Sequence, residues 1–110
     1  MKVEQKGHTT TIRNTQGSTA EFYQKLNHEY NSFKSQNLIV DLSHDKSLTM
    51  DDIKLFSEMT KLHKKAKKSL VLVTDSINFN DVPAQILVVP TQLEAHDIIE
   101  MEEIERDLGF

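Results

Sequence analysis

Two short apolar runs separated by a helical pattern occupy the centre of the chain. Residues 37–43 read Asn37-Leu38-Ile39-Val40-Asp41-Leu42-Ser43, and residues 70–73 read Leu70-Val71-Leu72-Val73. Continuous β-branched runs of this length are typical of strands that are buried on both faces of a parallel sheet. A third run, Ile86-Leu87-Val88-Val89, repeats the pattern. The sequence therefore predicts three core strands in an α/β domain.

Helical patterns lie before, between and after these runs. Apolar residues recur at three- and four-residue spacing in residues 19–36, 50–68 and 92–108, which predicts three amphipathic helices. Each predicted helix begins with a hydroxyl residue three positions before an acid, which is the pattern of a capping box. These pairs are Ser18 with Glu21, Thr49 with Asp52, and Thr91 with Glu94. The predicted buried stripe of the last helix is Ala95, Ile98, Met101, Ile104 and Leu108.

Two shorter features complete the predicted order of elements. Alternation around Gly7 predicts two short strands joined by a turn, and Asp81 with Pro83 predicts one helical turn before the third core strand. The order is then β-β-α-β-α-β-(short α)-β-α, in which helical crossovers require parallel pairing and right-handed connections. We predict a single domain over residues 1–110, with an α/β fold and a mixed, mostly parallel sheet.

Composition excludes several classes of protein. The 110 residues contain no cysteine, so disulfides, thiol catalysis and cysteine-bound zinc are excluded. The longest apolar runs have four residues, whereas a membrane span needs roughly 20. Residues 1–6 lack the apolar stretch of a signal peptide. We expect a soluble, cytoplasmic protein that does not associate with membranes.

Motifs that carry catalysis are missing from the sequence. Neither the GxGxxG pattern nor a P-loop for binding phosphates is present. The five histidines lie at least 16 residues apart, which leaves no HxH, HxxH or HExxH motif for a metal. No serine lies in a GxSxG elbow. We predict that the protein is not an enzyme and that it has no catalytic residue, no metal site and no cofactor.

Charge is distributed unevenly along the chain. Residues 91–110 hold seven acids against Arg106, a net charge of −6, which leaves 12 bases and 10 acids, a net charge of +2, in the rest. Such asymmetry occurs in nucleic-acid patches, in partner surfaces and in helix faces that meet each other. We favour the last interpretation and expect weak or no binding of nucleic acid, because five lysines fall short of a basic domain. The main basic cluster is Lys61, Lys64, Lys65, Lys67 and Lys68.

Residues 37–73 resemble the STAS domain, which is the fold of bacterial anti-sigma factor antagonists. The strand Ile39-Val40-Asp41-Leu42-Ser43, the capped helix after it and the strand Leu70 to Val73 carry the resemblance. The β-β-α start and the closing amphipathic helix extend it over nearly the whole chain. The resemblance implies a non-catalytic regulatory module that binds a protein partner. We expect this module to be a monomer or a weak dimer.

In antagonists of that family, a kinase phosphorylates a serine of an Asp-Ser-Ser-Gly motif in the loop before the second helix. The four places fall on residues 49–52, where Met50 takes the position of the acceptor serine and the glycine is missing. The resemblance therefore implies a module without the usual phosphoserine switch. The loop remains the expected binding surface, because open α/β sheets place their sites at the carboxyl ends of strands. The predicted partner-binding residues are Ser43, His44, Asp45, Lys46, Ser47, Thr49, Met50 and Asp51.

The chain as a whole also resembles short bacterial proteins that carry the name ribonuclease Z, and the closing stretch, residues 94–110, is the most recognisable part. True ribonuclease Z is a longer metallo-β-lactamase-type phosphodiesterase with an HxHxDH cluster, and this sequence contains no such cluster. The resemblance implies an alternative function, as an accessory or a misnamed relative of that enzyme in tRNA 3′ processing, without its own metal site. In that case the lysine cluster would contact RNA phosphates in a salt-dependent manner.

Overall fold

The computed structural model describes residues 1–109, which form five strands and four α-helices. The strands are β1 (Lys2–Lys6), β2 (Thr9–Arg13), β3 (Asn37–Asp41), β4 (Leu70–Val73) and β5 (Leu87–Val89). The helices are α1 (Thr19–Glu29), α2 (Met50–Lys54), α3 (Ser57–Lys65) and α4 (Gln92–Asp107). Short 3-10 turns lie at Tyr30–Ser32 and Phe79–Asp81. No helix in this part of the chain is long and apolar enough to span a membrane.

The sheet confirms the predicted fold class. Its strand order is β1-β2-β3-β4-β5, in which β1 and β2 are antiparallel and the other three pairs are parallel. Gly7 in the turn between β1 and β2 has a φ of 61°, a conformation that glycine adopts without strain. Helices cross from β2 to β3 and from β3 to β4, which makes these pairs parallel. The domain is therefore α/β with a mixed, mostly parallel sheet.

Strand β3 lies at the centre of the sheet, and all five of its residues are buried. On one face, Leu38 and Val40 belong to a core cluster that includes residues of α1, α2 and α3. On the other face, Ile39 packs in a smaller cluster with Ala95 and Ile99 of α4. Three helices therefore cover one face of the sheet, and α4 covers the other.

Two of the predicted helices end or divide earlier than expected. The helix predicted over residues 50–68 is divided into α2 and α3, because the amide of Phe56 bonds to the carbonyl of Ile53, three residues back, at 3.1 Å. This tighter bond interrupts the α-helical pattern. The helix predicted over residues 19–36 ends at Glu29 and continues only as a 3-10 turn. The helix predicted over residues 92–108 is α4, and its bounds are nearly those expected.

Two features near β5 also differ from the prediction. The short helical turn ends at Asp81 instead of beginning there, because the Asn78 side chain accepts a hydrogen bond from the amide of Asn80 at 3.0 Å and caps the turn. Strand β5 is half-buried, although its apolar run predicted burial on both faces. Since β5 lies at the edge of the sheet, a neighbouring strand covers only one of its sides.

The predicted buried stripe of α4 is wrong in the second half of the helix. Ala95 is buried, but the apolar residues at the carboxyl end of the stripe are exposed. The side of the helix that faces the sheet continues instead through Ile99, Glu102 and Arg106. The exposed residues are Met101, Ile104 and Leu108.

A polar cluster at the amino ends of β3 and β4 accounts for this orientation. Asn37 Oδ1 accepts hydrogen bonds from the Ser69 amide at 2.9 Å and from Arg106 Nη2 at 3.4 Å. The Ser69 hydroxyl donates to Glu102 Oε1 at 2.5 Å and accepts from Arg106 Nη1 at 3.1 Å. We name these four residues the polar anchor. A helix rolled to bury its apolar stripe would remove Glu102 and Arg106 from Ser69 and Arg106 from Asn37, and such a loss is costly for buried polar groups.

A second buried polar contact joins α3 to the 3-10 turn after α1 and to the residue before β3. The side chain of His63 is fully buried, with Nδ1 at 2.6 Å from the Tyr30 hydroxyl and Nε2 at 2.6 Å from the carbonyl oxygen of Gln36. Because a carbonyl oxygen only accepts, Nε2 carries the proton and Nδ1 accepts from Tyr30. Burial lowers the pKa of His63; the hydrogen bond to Gln36 raises it less, and the charge of Lys68 lowers it further. His63 is therefore held in its neutral form.

We expect the free energy of unfolding to fall as the pH drops from about 7 to about 5. A histidine in the unfolded chain has a pKa of about 6.5, whereas burial holds the pKa of His63 lower in the folded state. The unfolded state then binds more protons. The contribution of neutral His63 to the free energy of unfolding is therefore complete above the pKa of the unfolded state, and it is lost as the pH falls through the pKa of the folded state. Urea denaturation at a series of pH values measures the dependence.

Two histidine variants and one spectrum separate this effect from other titrations. His63→Gln should flatten the dependence, whereas His28→Gln, at an exposed position on α1, should leave it in place. If His63→Gln does not fold, the ring resonances of His63 in the wild-type protein give the answer. A ring that titrates at or above a pH of about 6.5 contradicts the prediction.

The turn that ends α3 contains a strained backbone. Among the described residues, Lys67 is the one non-glycine with a positive φ, at 60°. Its amide bonds to the Lys64 carbonyl at 2.9 Å, and the amide of Lys68 bonds to the His63 carbonyl at 3.0 Å. These two bonds form a Schellman motif, whose left-handed position is usually occupied by glycine. A lysine there costs roughly 1 kcal/mol.

We expect Lys67→Gly to raise the free energy of unfolding by about 1 kcal/mol, because glycine adopts the left-handed conformation without this cost. Lys65→Gly is the matched control, since Lys65 is the last residue of α3 and has no positive φ. That change should lower the free energy of unfolding by up to about 1 kcal/mol. Thermal or urea denaturation compares the two variants. Equal destabilisation by both would show that the turn is not strained at Lys67.

Candidate functional site

The first part of the candidate site is the end of β3, where Asp41 organises the chain as it leaves the sheet. Asp41 is buried, and its Oδ1 accepts from the amide of Ser43 at 2.9 Å and from the Ser43 hydroxyl at 2.6 Å. Its Oδ2 accepts from Gln92 Nε2 at 2.6 Å, at the start of α4. One carboxylate therefore closes the first turn of the loop and ties it to the helix on the other face.

The second part is Asp45, which binds the start of α1. Its Oδ2 accepts from the Thr19 amide at 2.8 Å and from the Thr19 hydroxyl at 2.9 Å. Its Oδ1 accepts from the Ser47 amide at 3.1 Å and from the Ser47 hydroxyl at 3.0 Å. Partial burial raises the pKa of Asp45, but these hydrogen bonds more than offset it, so that the pKa lies below its ordinary value.

The placement of Asp45 gives α1 an anion at its N-terminus. Helix N-termini attract anions because their free amides and the helix dipole both favour negative charge. Ser18 caps the same helix by accepting from the Glu21 amide at 3.2 Å. The loop after β3 therefore places the negative charge of Asp45 at this helix start, although Asp45 is 26 positions away in the sequence. In other proteins a bound phosphate or an acid of the helix itself provides such a charge.

The third part is the capping box that begins α2. The Thr49 amide donates to Asp52 Oδ2 at 2.8 Å, and the Asp52 amide donates to Thr49 Oγ1 at 3.4 Å. This confirms the capping box predicted from the sequence. At α4 the structure shows the hydroxyl half of the predicted box, in which Thr91 Oγ1 accepts from the Glu94 amide at 3.2 Å, and Ser18 does the same at α1.

Several of the predicted partner-binding residues also bond within the chain. The side chains of Ser43, Asp45 and Ser47 take part in the hydrogen bonds described above. Thr49 also bonds within the chain, through the capping box. The selection of partner-binding residues itself stays a prediction.

The remaining predicted residues differ in how far they are exposed. His44, Lys46 and Asp51 are exposed, and Lys46 Nζ lies 3.5 Å from Asp75 Oδ1 in the loop after β4. Met50 is half-buried and packs against the larger core cluster. The structure thus brings the predicted residues to one edge of the sheet, where Ser47 and Thr49 are exposed as well.

A different group of residues lines a cavity at the opposite, amino-terminal edge of the sheet. Its volume is about 510 Å³, and its walls include lysines from the end of α3 and acids from the end of α4. The uneven charge of the sequence predicted two oppositely charged helix faces that meet each other. This lining is consistent with that prediction. The charged lining residues are Lys64, Lys67, Lys68, Glu102, Glu105 and Arg106.

Sequence reasoning missed the long-range partners of these residues. Nothing local links Asp45 to Thr19, 26 positions away, or Gln92 to Asp41, 51 positions away. For the polar anchor, the sequence contains one signal. Glu102 and Arg106 lie four positions apart, so they can meet on one face of a helix.

Within residues 1–109, no group of three or more histidine, aspartate or glutamate side chains is arranged to hold a metal ion. The chain was also compared with known proteins. No family model and no curated protein matches it.

We expect Asp45→Asn to lower the free energy of unfolding by about 1 kcal/mol, because an amide accepts fewer of the four hydrogen bonds and removes the anion from the helix start. Asp51→Asn is the control, since Asp51 is exposed in the first turn of α2. It should change the free energy by no more than about 0.5 kcal/mol. Urea denaturation measures both. Equal stabilities for Asp45→Asn and the wild type would mean that this carboxylate does not hold the loop to α1.

Proposed function

We propose that the chain is a non-catalytic protein-interaction module of the STAS type that lacks the usual phosphoserine switch. Its partner binds the carboxyl-edge loop, which we define as residues 42–51. The observation that carries this proposal is the way the loop is held in place: Asp41, Asp45 and Asp52 each close a turn through hydrogen bonds. A surface that is ordered before binding loses less conformational entropy when a partner docks.

The exposed part of the loop offers chemistry suited to a protein partner. His44 and Lys46 can donate hydrogen bonds, Asp51 can accept them, and Met50 adds a flexible apolar contact next to the core. Gly17 and Ser18 adjoin the same surface from the turn before α1. Such a mixture of charged, polar and apolar groups is typical of interfaces that form and dissociate.

The position of Met50 explains why the module would work without phosphorylation. In the STAS resemblance Met50 stands where the acceptor serine lies, and its side chain cannot be phosphorylated. Thr49, beside it, is engaged in the capping box. A phosphate on Thr49 would also lie close to Asp51 and Asp52, whose charges repel it. Binding is therefore expected to be constitutive.

The alternative function in tRNA processing would depend on the lysine cluster. Three of these lysines share a cavity with Glu102 and Glu105, which reduce the positive potential there. The lysines also lie at the end of α3, where the helix dipole favours cations without any ligand. These two observations favour the protein-interaction module over the RNA-binding accessory.

A site-specific photo-crosslinker tests the proposal in cells that express the chain. We expect benzoylphenylalanine at His44 to give one dominant protein adduct, identified by mass spectrometry, and the same residue at Gln24 on the exposed face of α1 to give none. With the purified partner, the double change His44→Glu and Lys46→Glu should weaken binding at least about tenfold. Gln24→Glu should leave affinity unchanged.

Circular dichroism shows whether each variant keeps its fold, so that lost binding is not confused with unfolding. If adducts form at Gln24 but not at His44, the partner does not bind the carboxyl-edge loop. An RNA adduct that is lost when Lys64, Lys65 and Lys68 are changed to glutamine would instead support the tRNA-processing alternative.

A further inference from the structure

Helix α4 presents an apolar stripe on the side that faces away from the sheet. Leu93 is 73% exposed, Met101 61%, Ile104 58% and Leu108 67%, and these are the four most exposed large apolar side chains among the described residues. At 100° per residue they fall within an arc of about 80°. Single exposed apolar side chains are ordinary, but a stripe of four on one helix marks an interaction surface.

Acidic side chains border this stripe along its whole length. Glu94 and Glu105 lie on one side of it, and Glu100 and Asp107 lie on the other, at the angles that helical spacing gives them. Asp97 lies within the stripe itself. Arg106 does not offset these charges, because it belongs to the polar anchor on the inner side of the helix. Because Glu105 also lines the cavity that contains lysines of α3, the negative charge of the border is least offset at Glu100 and Asp107.

The carboxyl half of the stripe follows one heptad of a coiled coil. Met101, Ile104 and Leu108 have the spacing of successive a, d and a positions, and Glu100, Glu105 and Asp107 then occupy the g and e positions that flank them. In the preceding heptad the a and d positions are Glu94 and Asp97, and Leu93 lies at a g position. From Leu93 to Leu108 the stripe runs for roughly 22 Å, at 1.5 Å per residue. The part with coiled-coil spacing, from Met101 to Leu108, covers about two helical turns of this length.

We propose that this stripe binds a basic amphipathic helix of another protein. Apolar residues of that helix would cover Met101, Ile104 and Leu108, and its lysines or arginines would face the acidic border. Charge complementarity selects this occupant over the α4 helix of a second copy of the chain. Two copies of α4, parallel or antiparallel, would bring glutamates and aspartates together at every flanking position, which disfavours pairing.

The proposal is independent of the carboxyl-edge loop. That loop is fixed by contacts of its own carboxylates, whereas the apolar stripe is turned outward by the polar anchor at the other end of the sheet. Loss of binding at one surface therefore leaves the other surface intact, and the two proposals fail separately.

The test uses the full chain and three synthetic helical peptides. One carries leucine at a and d and lysine at e and g; the second carries glutamate in place of lysine; the third has the first composition in scrambled order. We expect calorimetry to show at least about tenfold tighter binding of the lysine peptide than of the other two. Amide shifts in the NMR spectrum should be centred on α4.

Variants of the protein locate the contact. Met101→Ser with Ile104→Ser should weaken binding of the lysine peptide at least about tenfold. Leu62→Ser is the matched control, because Leu62 is similarly exposed, at 54%, but lies on α3; it should change affinity by less than about twofold. Glu100→Lys with Asp107→Lys should reduce the preference for the lysine peptide over the glutamate peptide. All three variants change exposed residues, so their folds should be retained.

Three results would overturn the proposal. One is equal binding of the lysine peptide to the wild type and to the Met101→Ser, Ile104→Ser variant. Another is a wild-type dimer in sedimentation that this variant abolishes, since a second copy would then be the occupant. The third is binding to phosphatidylcholine vesicles that the same variant abolishes, which would assign the stripe to a lipid surface.

Discussion

Burial of β3 on both faces is the constraint on which the other elements depend. A strand whose five residues are all buried needs apolar cover above and below the sheet. Helices α1, α2 and α3 lie in the connections on either side of β3 and cover one face, so that α4 is left to cover the other. Helix α4 also contacts polar residues at the amino ends of β3 and β4. It therefore cannot turn all its apolar residues toward the sheet. The outward stripe of α4 follows from this arrangement.

Both ends of the central strands are closed by polar side chains, but with different results. At the amino ends, Asn37 and Ser69 bond to Glu102 and Arg106, and this network orients α4. At the carboxyl ends, aspartates bond mainly to nearby amides and hydroxyls, and these bonds shape a loop that projects into solvent. One end is therefore used to fix a helix, while the other presents an ordered surface.

Much of the fold could be predicted because its signals are local. The runs at Leu38 and Leu70 indicated buried strands, and the pair Thr49 and Asp52 indicated a helix start; the structure contains both features. The orientation of α4 could not be predicted in the same way, because this helix has apolar residues on two sides. Only the partners of Arg106 on distant strands show which side faces inward. Likewise, no spacing pattern reveals that Asp45 bonds to Thr19.

The uneven charge of the chain has a structural explanation once the helices are in place. The lysines at the end of α3 lie where the helix dipole favours cations, and several of them line a cavity with acids of α4. Arg106 is the one lysine or arginine of α4 and bonds on its inner side, so the helix itself supplies no such base beside Glu100 and Asp107 on its outer side. Negative charge therefore gathers around Met101 and Ile104. An exposed apolar stripe with such a border disfavours pairing of α4 with the same helix of a second copy while remaining attractive to a basic helix.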